Sequence, residues 1–204
     1  MSQLPLRRPP APIRVADARD REVVASVLTD ACFVDPVVAW LVPDARRRRW
    51  VLPAVHGHLA DAYLRHGEVR LSIDGRGAAL WVAPGVAAVA VDEAAAFDAR
   101  LAELCGPDAD RSAALAALLD AHRPQEPCWY LARLGVVVDG QDRGLGSSLL
   151  ASVLAECDRE CQPAYLEATS ERSRSLFQRH GFVVTAEFAP AGGPPIWGMW
   201  RAPR

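Results

Sequence analysis

The sequence lacks a strong charge of either sign, because its 204 residues carry a formal net charge of only −2 at pH 7. This balance excludes a global field that would draw the chain to nucleic acid or to an anionic membrane. The N-terminal residues lack the apolar segment of a secretory signal peptide, and the longest apolar runs are too short to span a bilayer. These absences predict a cytoplasmic protein with neither a nucleic-acid nor a membrane partner.

The cysteines are few and show no disulfide or zinc pattern. There are five, an odd number without a Cys-x-x-Cys pair: Cys32, Cys105, Cys128, Cys157 and Cys161. Cys157 and Cys161 lie one helical turn apart, but no histidine stands near them in sequence to complete a zinc site. His56, His58 and His66 fall in one predicted helix without a carboxylate at ligand spacing. The sequence therefore predicts reduced thiols and no metal site.

The densest basic cluster is Arg46–Arg49. Four arginines invite a nucleic-acid interpretation, but on a helix they point around all sides, and the chain as a whole is slightly acidic. We interpret the cluster as a solvated helix start that can also contact an anionic ligand.

Half of the residues are apolar, which is typical of a soluble domain with a sizeable core. Residues 1–12 are rich in proline and arginine and predict a flexible tail before a single domain at residues 13–204. Asp17 is the predicted N-cap of a first helix. Periodicity and turn residues predict helices at 45–66, 92–122 with a break at 106–107, 145–159 and 173–180, and strands at 68–73, 78–83, 129–138, 164–168, 181–188 and 195–201. Intermixed helices and strands predict an α/β or α+β fold.

The stretch VVVDGQDRGLGSSLL, residues 136–150, runs from a β-branched strand through a glycine loop into an amphipathic helix. The first turn of a helix leaves backbone N–H groups without partners, and its dipole places partial positive charge there. Gly144 and Gly146 have no Cβ, which permits close approach of a ligand, and Ser147 adds a hydroxyl. The pattern is typical of a cradle for a phosphate or a pyrophosphate.

Three interpretations of this loop compete on the residues alone. A Rossmann loop requires a third glycine where Leu149 stands, and a Walker loop requires a Gly-Lys-Ser/Thr sequence that is absent. An ordinary glycine-rich turn between a strand and a helix fits the loop as well as an anion site does.

The surroundings of the loop favour the anion site, because they resemble the GCN5-related N-acetyltransferase (GNAT) superfamily. The family's Gln/Arg-x-x-Gly-x-Gly/Ala signature is matched by Gln141, Gly144 and Gly146, and its closing Gly-Phe pair by Gly181 and Phe182. The segments HRPQEPCWYLARLGV, WVAPG and IWGMWR further resemble the actinobacterial subgroup that includes puromycin N-acetyltransferase. The likeness is strong over residues 122–182 and weak before residue 68.

The resemblance implies a single-domain fold with a mixed, mostly antiparallel sheet that is flanked by helices and splayed between the strands at 129–138 and 164–168. It further implies that acetyl-CoA lies in that gap. The implied contacts to the cosubstrate come from two strand residues with the glycine between them, from the loop, and from the last signature: Leu134, Gly135, Val136, Gln141, Asp142, Arg143, Gly144, Leu145, Gly146, Ser147, Ser173 and Phe177.

The implied reaction is transfer of an acetyl group to a primary amine, which must lose a proton before it attacks. The Val136 N–H is the candidate donor to the carbonyl oxygen. The family places an asparagine and a proton-donating tyrosine where this chain has Ser173 and Phe177. Phenylalanine has no proton to give, so a serine or water protonates the thiolate, or it leaves unprotonated, or activity is low. Glu167 is the candidate base; a structural acceptor is the alternative role.

The acceptor side is less defined by the sequence. Phe33, Trp40 and Trp81 are candidates for an aromatic acceptor pocket, and core packing is their alternative role. The sequence thus predicts an N-acetyltransferase that uses acetyl-CoA, is a monomer or homodimer, and acts on a small amine, possible targets including antibiotic-like molecules. The alternative is a CoA-binding protein with little catalysis that acts as a sensor or a partner-binding module.

Overall fold

The computed structural model describes residues 12–204, and a seven-stranded sheet forms the centre of this part of the chain. The strands are Ile13–Val15 (β1), Glu68–Ser72 (β2), Gly77–Val82 (β3), Trp129–Val136 (β4), Ala164–Ala168 (β5), Val183–Phe188 (β6) and Ile196–Arg201 (β7). Their order across the sheet is β1-β2-β3-β4-β5-β7-β6, and every neighbouring pair is antiparallel except β4 with β5. The predicted mixed, mostly antiparallel α/β domain is confirmed.

Helices flank this sheet. They are Arg21–Cys32 (α1), Pro36–Leu41 (α2), Ala45–His66 (α3), Ala94–Cys105 (α4), Ala109–His122 (α5), Leu145–Arg159 (α6) and Glu171–Arg179 (α7). The bounds of α3 and α6 are those expected from the sequence, and Gly67 is the C-cap of α3. Asp17 caps a short 3-10 turn that leads into α1.

Helix α2 is not among the helices predicted from the sequence. The structure places Pro36 at the first helical position, where a proline costs no hydrogen bond. The Asp35 carboxylate accepts hydrogen bonds from the backbone N–H groups of Val37 and Val38, at 2.9 and 3.2 Å. An N-cap and a first-turn proline therefore start this helix.

The sheet opens between β4 and β5. The two strands pair only from Trp129 to Leu131 against Ala164 to Leu166, whereas β4 continues to Val136. In the register with β3, Leu80 faces Arg133 and Trp81 faces Leu131, so Ala132 is an extra residue in β4. A bulge of this kind bends a strand and ends its pairing. The predicted gap between these two strands is therefore present.

Two cores cover the two faces of the sheet. Leu149, Leu150 and Val153 of α6 are fully buried against one face. Val24 and Leu28 of α1 are fully buried against the other face, together with residues of α3. Burial of one such side chain favours folding by about 1.5–3 kcal/mol, so the two layers hold the halves of the open sheet in place.

One member of the arginine cluster of α3 differs from the expected solvated helix start, whereas Arg46 and Arg49 are exposed. Arg48 is only 8% exposed and donates hydrogen bonds to the carbonyl oxygens of Phe33, Val42 and Pro43. It thereby fixes both ends of the segment that carries α2. The predicted tail at 1–12 lies outside the described residues except for Pro12, whose carbonyl accepts a hydrogen bond from the Ile73 N–H. Within the described range, no helix is both long and apolar enough to cross a membrane.

Candidate active site

A cavity of about 890 Å³ occupies the opening between β4 and β5. On one side it is bounded by the loop after β4, the start of α6 and α7; we call this side the loop arm. The other side lies between α1, α2 and α5 and is lined by aliphatic side chains. We call it the apolar arm, and its residues are Val37, Val38, Leu41, Leu115, Leu119 and Ile196. One continuous cavity therefore joins two chemically different halves.

The edge of β4 presents backbone groups to this opening. The Val137 N–H donates to the Arg76 carbonyl on the β3 side, at 3.0 Å. Because alternate residues of a strand point their backbone groups in opposite directions, those of Leu134 and Val136 face the gap. The Val136 carbonyl accepts a 3.0 Å hydrogen bond from Gln141 Nε2. The Val136 N–H and both backbone groups of Leu134 then remain for an extended ligand.

The loop arm has the geometry of an anion site. Gly144, at the N-cap of α6, has a φ of +81°, a left-handed conformation that favours glycine. No side chain caps this helix, so the N–H groups of Leu145, Gly146 and Ser147 have no cap partner within residues 12–204. Unpaired N–H groups and the positive end of the helix dipole fit a phosphate. Gln141 contributes by tying the loop to β4.

The other residues predicted to contact the cosubstrate differ in what surrounds them. Asp142 lines the cavity and pairs with Arg172 of α7 at 3.1 Å. Arg143 is exposed and does not line the cavity. A Cβ at Gly146 would lie 3.3 Å from Leu176, so this glycine permits close packing of α6 on α7. At Gly135 the approaching partner is α1 rather than a ligand, because a Cβ there would lie 2.9 Å from that of Ala31.

Ser173 and Phe177 line the cavity from α7. The Ser173 hydroxyl donates to the Ser170 carbonyl at 2.9 Å and accepts from the Ser170 N–H at 3.1 Å, as part of a capping box. Its proton is therefore engaged at the start of α7. Phe177 is 5% exposed and packs edge-to-face on Phe182, with ring centroids 6.1 Å apart. Neither side chain presents a free proton to the cavity.

Glu167 lies on the cavity wall at the end of β5. Its Oε2 accepts a 2.8 Å hydrogen bond from the Tyr130 hydroxyl. Its Oε1 is buried and has no hydrogen-bond partner among the described residues. Burial raises the pKa of Glu167, whereas the Tyr130 hydrogen bond and the charges of Arg123 and Arg133 lower it. A buried carboxylate with one unpartnered oxygen is suited to accept a proton.

The three aromatic side chains predicted to form an acceptor pocket lie apart from this cavity. Trp81 is completely buried in the core, where it packs edge-to-face on Trp129. Phe33 lies under the Arg48 guanidinium and lines a second cavity, of about 530 Å³. Trp40 packs beside Arg111 and against the small cluster that contains Ile196.

The apolar arm and its polar neighbours were not identified from the sequence. Asp35, Arg133 and Thr169 line the cavity, and the Thr169 hydroxyl donates to Asp35 Oδ2 at 2.5 Å. This hydrogen bond joins the start of α2 to the end of β5. The Asp35-Pro36 pair, an N-cap signature, was the one available signal for α2; the pairing with Thr169 spans more than a hundred residues and left no local pattern.

Comparison with known proteins agrees with this geometry. The model of the acetyltransferase (GNAT) family matches residues 87–182, the segment that contains β4, the loop, α6, β5 and α7. The apolar arm comes partly from outside this segment, since α1 and α2 precede it.

Solved structures share the fold over nearly the whole chain. A structure described as histone acetyltransferase HPA2 and related acetyltransferase, from Corynebacterium glutamicum, has a TM-score of 0.70 at 22% identity and covers 96% of this chain and 97% of its own. Arylalkylamine N-acetyltransferase 2 from Aedes aegypti has a TM-score of 0.65 at 14% identity, covering 94% and 98%. A polyamine N-acetyltransferase from Drosophila melanogaster has a TM-score of 0.58 at 18% identity, covering 93% and 98%.

None of these three structures is described as a puromycin N-acetyltransferase, so the subgroup resemblance stays a prediction. The segment that matches the family model contains both the phosphate-type loop and the gap beside β4. Residues 87–182 therefore resemble the GNAT family, and nearly the whole chain shares the fold of these acetyltransferase structures. The acetyltransferases of that family use acetyl-CoA as their cosubstrate.

Proposed function

We propose that this chain transfers an acetyl group from acetyl-CoA to a primary amine of a small molecule. The observation that carries the proposal is the single cavity in which the loop arm and the apolar arm meet beside Glu167. The fold is shared with enzymes named for arylalkylamine and polyamine acetylation. The subgroup resemblance adds antibiotic-like amines to the candidate acceptors.

The loop arm and β4 are suited to hold the cosubstrate. The N–H groups at the start of α6 would bind its pyrophosphate, and the gap-facing groups of Leu134 and Val136 would pair with its pantetheine arm. When bound, acetyl-CoA supplies an electrophilic thioester carbonyl. The Val136 N–H faces the gap and is our candidate donor to the carbonyl oxygen, which gains negative charge during attack.

Glu167 is our candidate base. An alkylammonium cannot attack a carbonyl until it loses a proton. Glu167 lines the cavity, and its buried Oε1 has no hydrogen-bond partner among the described residues. The Tyr130 hydrogen bond fixes the other oxygen and thereby the orientation of the carboxylate. The charged groups Arg123 and Arg133 favour the ionised form that can accept a proton.

The leaving thiolate receives no proton from Phe177, and the Ser173 hydroxyl is engaged with Ser170. A thiol has an ordinary pKa of about 8.5, so the thiolate can leave without a side-chain acid near neutral pH. We therefore propose that Glu167 is the side chain that takes part in proton transfer, and that the side chain at position 177 does not.

The same Phe177 favours a second candidate function, binding of CoA without turnover in a sensor or partner-binding protein. Thiol release from acetyl-CoA, measured against a panel of primary amines, separates the two. Amine-dependent release supports the transferase. Stabilisation by acetyl-CoA with no release for any amine would instead support the binding protein.

A further inference from the structure

Arg133 is a cationic side chain on the acceptor side of the cavity. It lies in β4 beside the bulge and lines the same cavity as Glu167. Gly135, two residues later, faces Ala31 and Leu28 of α1. Because side chains two residues apart in a strand share a face, Arg133 lies on the α1 side of the sheet, away from α6.

This guanidinium has no acidic partner in the described part of the chain. Its hydrogen bond runs from Nη1 to the carbonyl of the adjacent residue, Ala132, at 2.6 Å. No salt bridge joins Arg133 to an Asp or Glu of residues 12–204, and residues 1–11 contain neither. Desolvation of a half-buried arginine that lacks a carboxylate partner costs free energy unless another group supplies the anion.

Glu167 and Arg133 form an unpaired set of opposite charges on one cavity. They make no salt bridge with each other, and both line the same cavity. The other arginines that line the cavity, Arg172 and Arg179, belong to α7 on the loop arm. On the acceptor side the cavity lining therefore has one cation, Arg133, and two carboxylates, Glu167 and Asp35. The Asp35 carboxylate is engaged by the first N–H groups of α2 and by the Thr169 hydroxyl.

The rest of that wall is aliphatic. Val37, Val38 and Leu41 come from α2, and Leu115 and Leu119 from α5. Such a surface favours an apolar body on the acceptor, since each buried methylene contributes a favourable transfer free energy. One kind of ligand matches all three parts of this lining. It has an ammonium beside Glu167, a carboxylate beside Arg133 and an apolar group against α2 and α5.

We propose, on the basis of the proposed function, that the acceptor is an amino acid with an apolar side chain, whose carboxylate binds Arg133 and whose amine faces Glu167. The ammonium gives its first proton to Glu167. The nitrogen then attacks the thioester carbonyl carbon; the N–C bond forms, and the C–S bond breaks with its electron pair on sulfur. The remaining excess proton of the nitrogen leaves to the thiolate or to solvent, and an N-acetyl amino acid results.

The test compares acceptors that differ only in the carboxylate. Acetyl-CoA is supplied with L-phenylalanine, with L-phenylalaninamide and with 2-phenylethylamine, and kcat/KM is measured for each. We expect the amino acid to be preferred by about 100-fold over the two analogues that lack a carboxylate, the discrimination that a desolvated, charge-assisted pair commonly supplies.

Variants assign the preference to Arg133. In Arg133→Gln we expect kcat/KM for phenylalanine to fall about 100-fold further than that for phenylethylamine, because loss of this charge also raises the pKa of Glu167 and so affects both acceptors. Arg133→Lys should keep part of the preference, because it keeps the charge but loses the planar fork. Arg100→Gln removes a charge from the surface of α4 and is the matched control. Melting temperatures verify that each variant is folded.

The outcomes separate this inference from the proposed function. Equal use of phenylalanine and phenylethylamine by the wild type overturns the inference and leaves the transferase intact. An equal loss of kcat/KM for both acceptors in Arg133→Gln also overturns the inference and leaves the transferase intact. If Arg133→Gln does not fold, the wild-type panel and Arg133→Lys decide the question. If no amine in a wider screen releases thiol, the proposed function fails first, and the inference fails with it.

Discussion

The Tyr130 hydroxyl donates a 2.8 Å hydrogen bond to Oε2 of Glu167 across the short parallel junction of β4 and β5. The two residues belong to opposite halves of the open sheet, and their hydrogen bond lies next to the point where the halves separate. It leaves Oε1 of Glu167 as the unpartnered oxygen of the pair. The orientation of this candidate base is therefore coupled to the geometry of the opening.

Replacing Glu167 by glutamine tests its role as a base. The change keeps the shape of the side chain and its acceptor for Tyr130, but an amide cannot accept the amine proton. We expect kcat/KM for a good acceptor to fall roughly 100-fold or more, with the dissociation constant for acetyl-CoA unchanged. Unchanged kinetics would show that this glutamate has a structural role.

The Tyr130→Phe variant tests the hydrogen bond through pH. Burial raises the pKa of Glu167, and the Tyr130 hydrogen bond opposes that rise, so its removal raises this pKa further. Because only the ionised carboxylate accepts a proton, we expect the acidic limb of the kcat/KM profile to move to higher pH. Tyr165→Phe serves as a comparison, since Tyr165 lowers the pKa of Glu167 less, and should shift the limb by a smaller amount. If the acidic limb does not move in Tyr130→Phe, that limb does not report the ionisation of Glu167.

Gly144→Val tests the loop arm. The left-handed backbone at Gly144 disfavours any side chain by about 1–2 kcal/mol, and a branched side chain at the helix start also obstructs the anion site. We expect the increase in melting temperature caused by acetyl-CoA to disappear.

The matched control for this change is Gly192→Val. Gly192 also has a positive φ, +66°, and open space around the position of a Cβ, but it lies away from the cavity. The control should lose similar stability and keep the full response to acetyl-CoA. A full response in Gly144→Val as well would exclude this loop from cosubstrate binding.

Phe177→Tyr tests whether position 177 is a vacant acid site. The ring lines the cavity and the added phenol has a pKa of about 10, so it can protonate a departing thiolate near it. We expect thiol release to increase most at high pH, where neutral amine is abundant and the leaving group limits the rate. The measurement is thiol release against pH for both proteins with one acceptor. A tenfold fall with intact cosubstrate binding would refute the vacant-site interpretation.

The parts that the sequence predicts well are those with a local signal. Helix α6 has one apolar face, its start is marked by Gly144, and β5 is a short apolar run between turns. The open gap followed from the resemblance around the loop rather than from the strands themselves. Periodicity alone does not reveal that β4 and β5 pair over three residues.

The apolar arm could not be predicted in the same way. Its side chains come from α2, α5 and β7, and aliphatic residues on helices and strands look the same whether they line a core or a cavity. Trp81 shows the converse, because its aromatic character suggested a pocket while its position in β3 places it in the core. Arg133 carried no signal either, since its isolation from acidic groups depends on long-range packing.

The hydrogen bond from Gln141 Nε2 to the Val136 carbonyl links the loop arm to the strand edge as one structural unit. Both the candidate pyrophosphate site and the candidate donor to the thioester oxygen belong to this unit, so the span between them is set within one half of the molecule. The apolar arm lies outside this unit, so changes in its side chains leave that span as it is. Divergence in acceptor preference can therefore proceed on α2 and α5 while the reactive end of a bound cosubstrate stays in register with Val136.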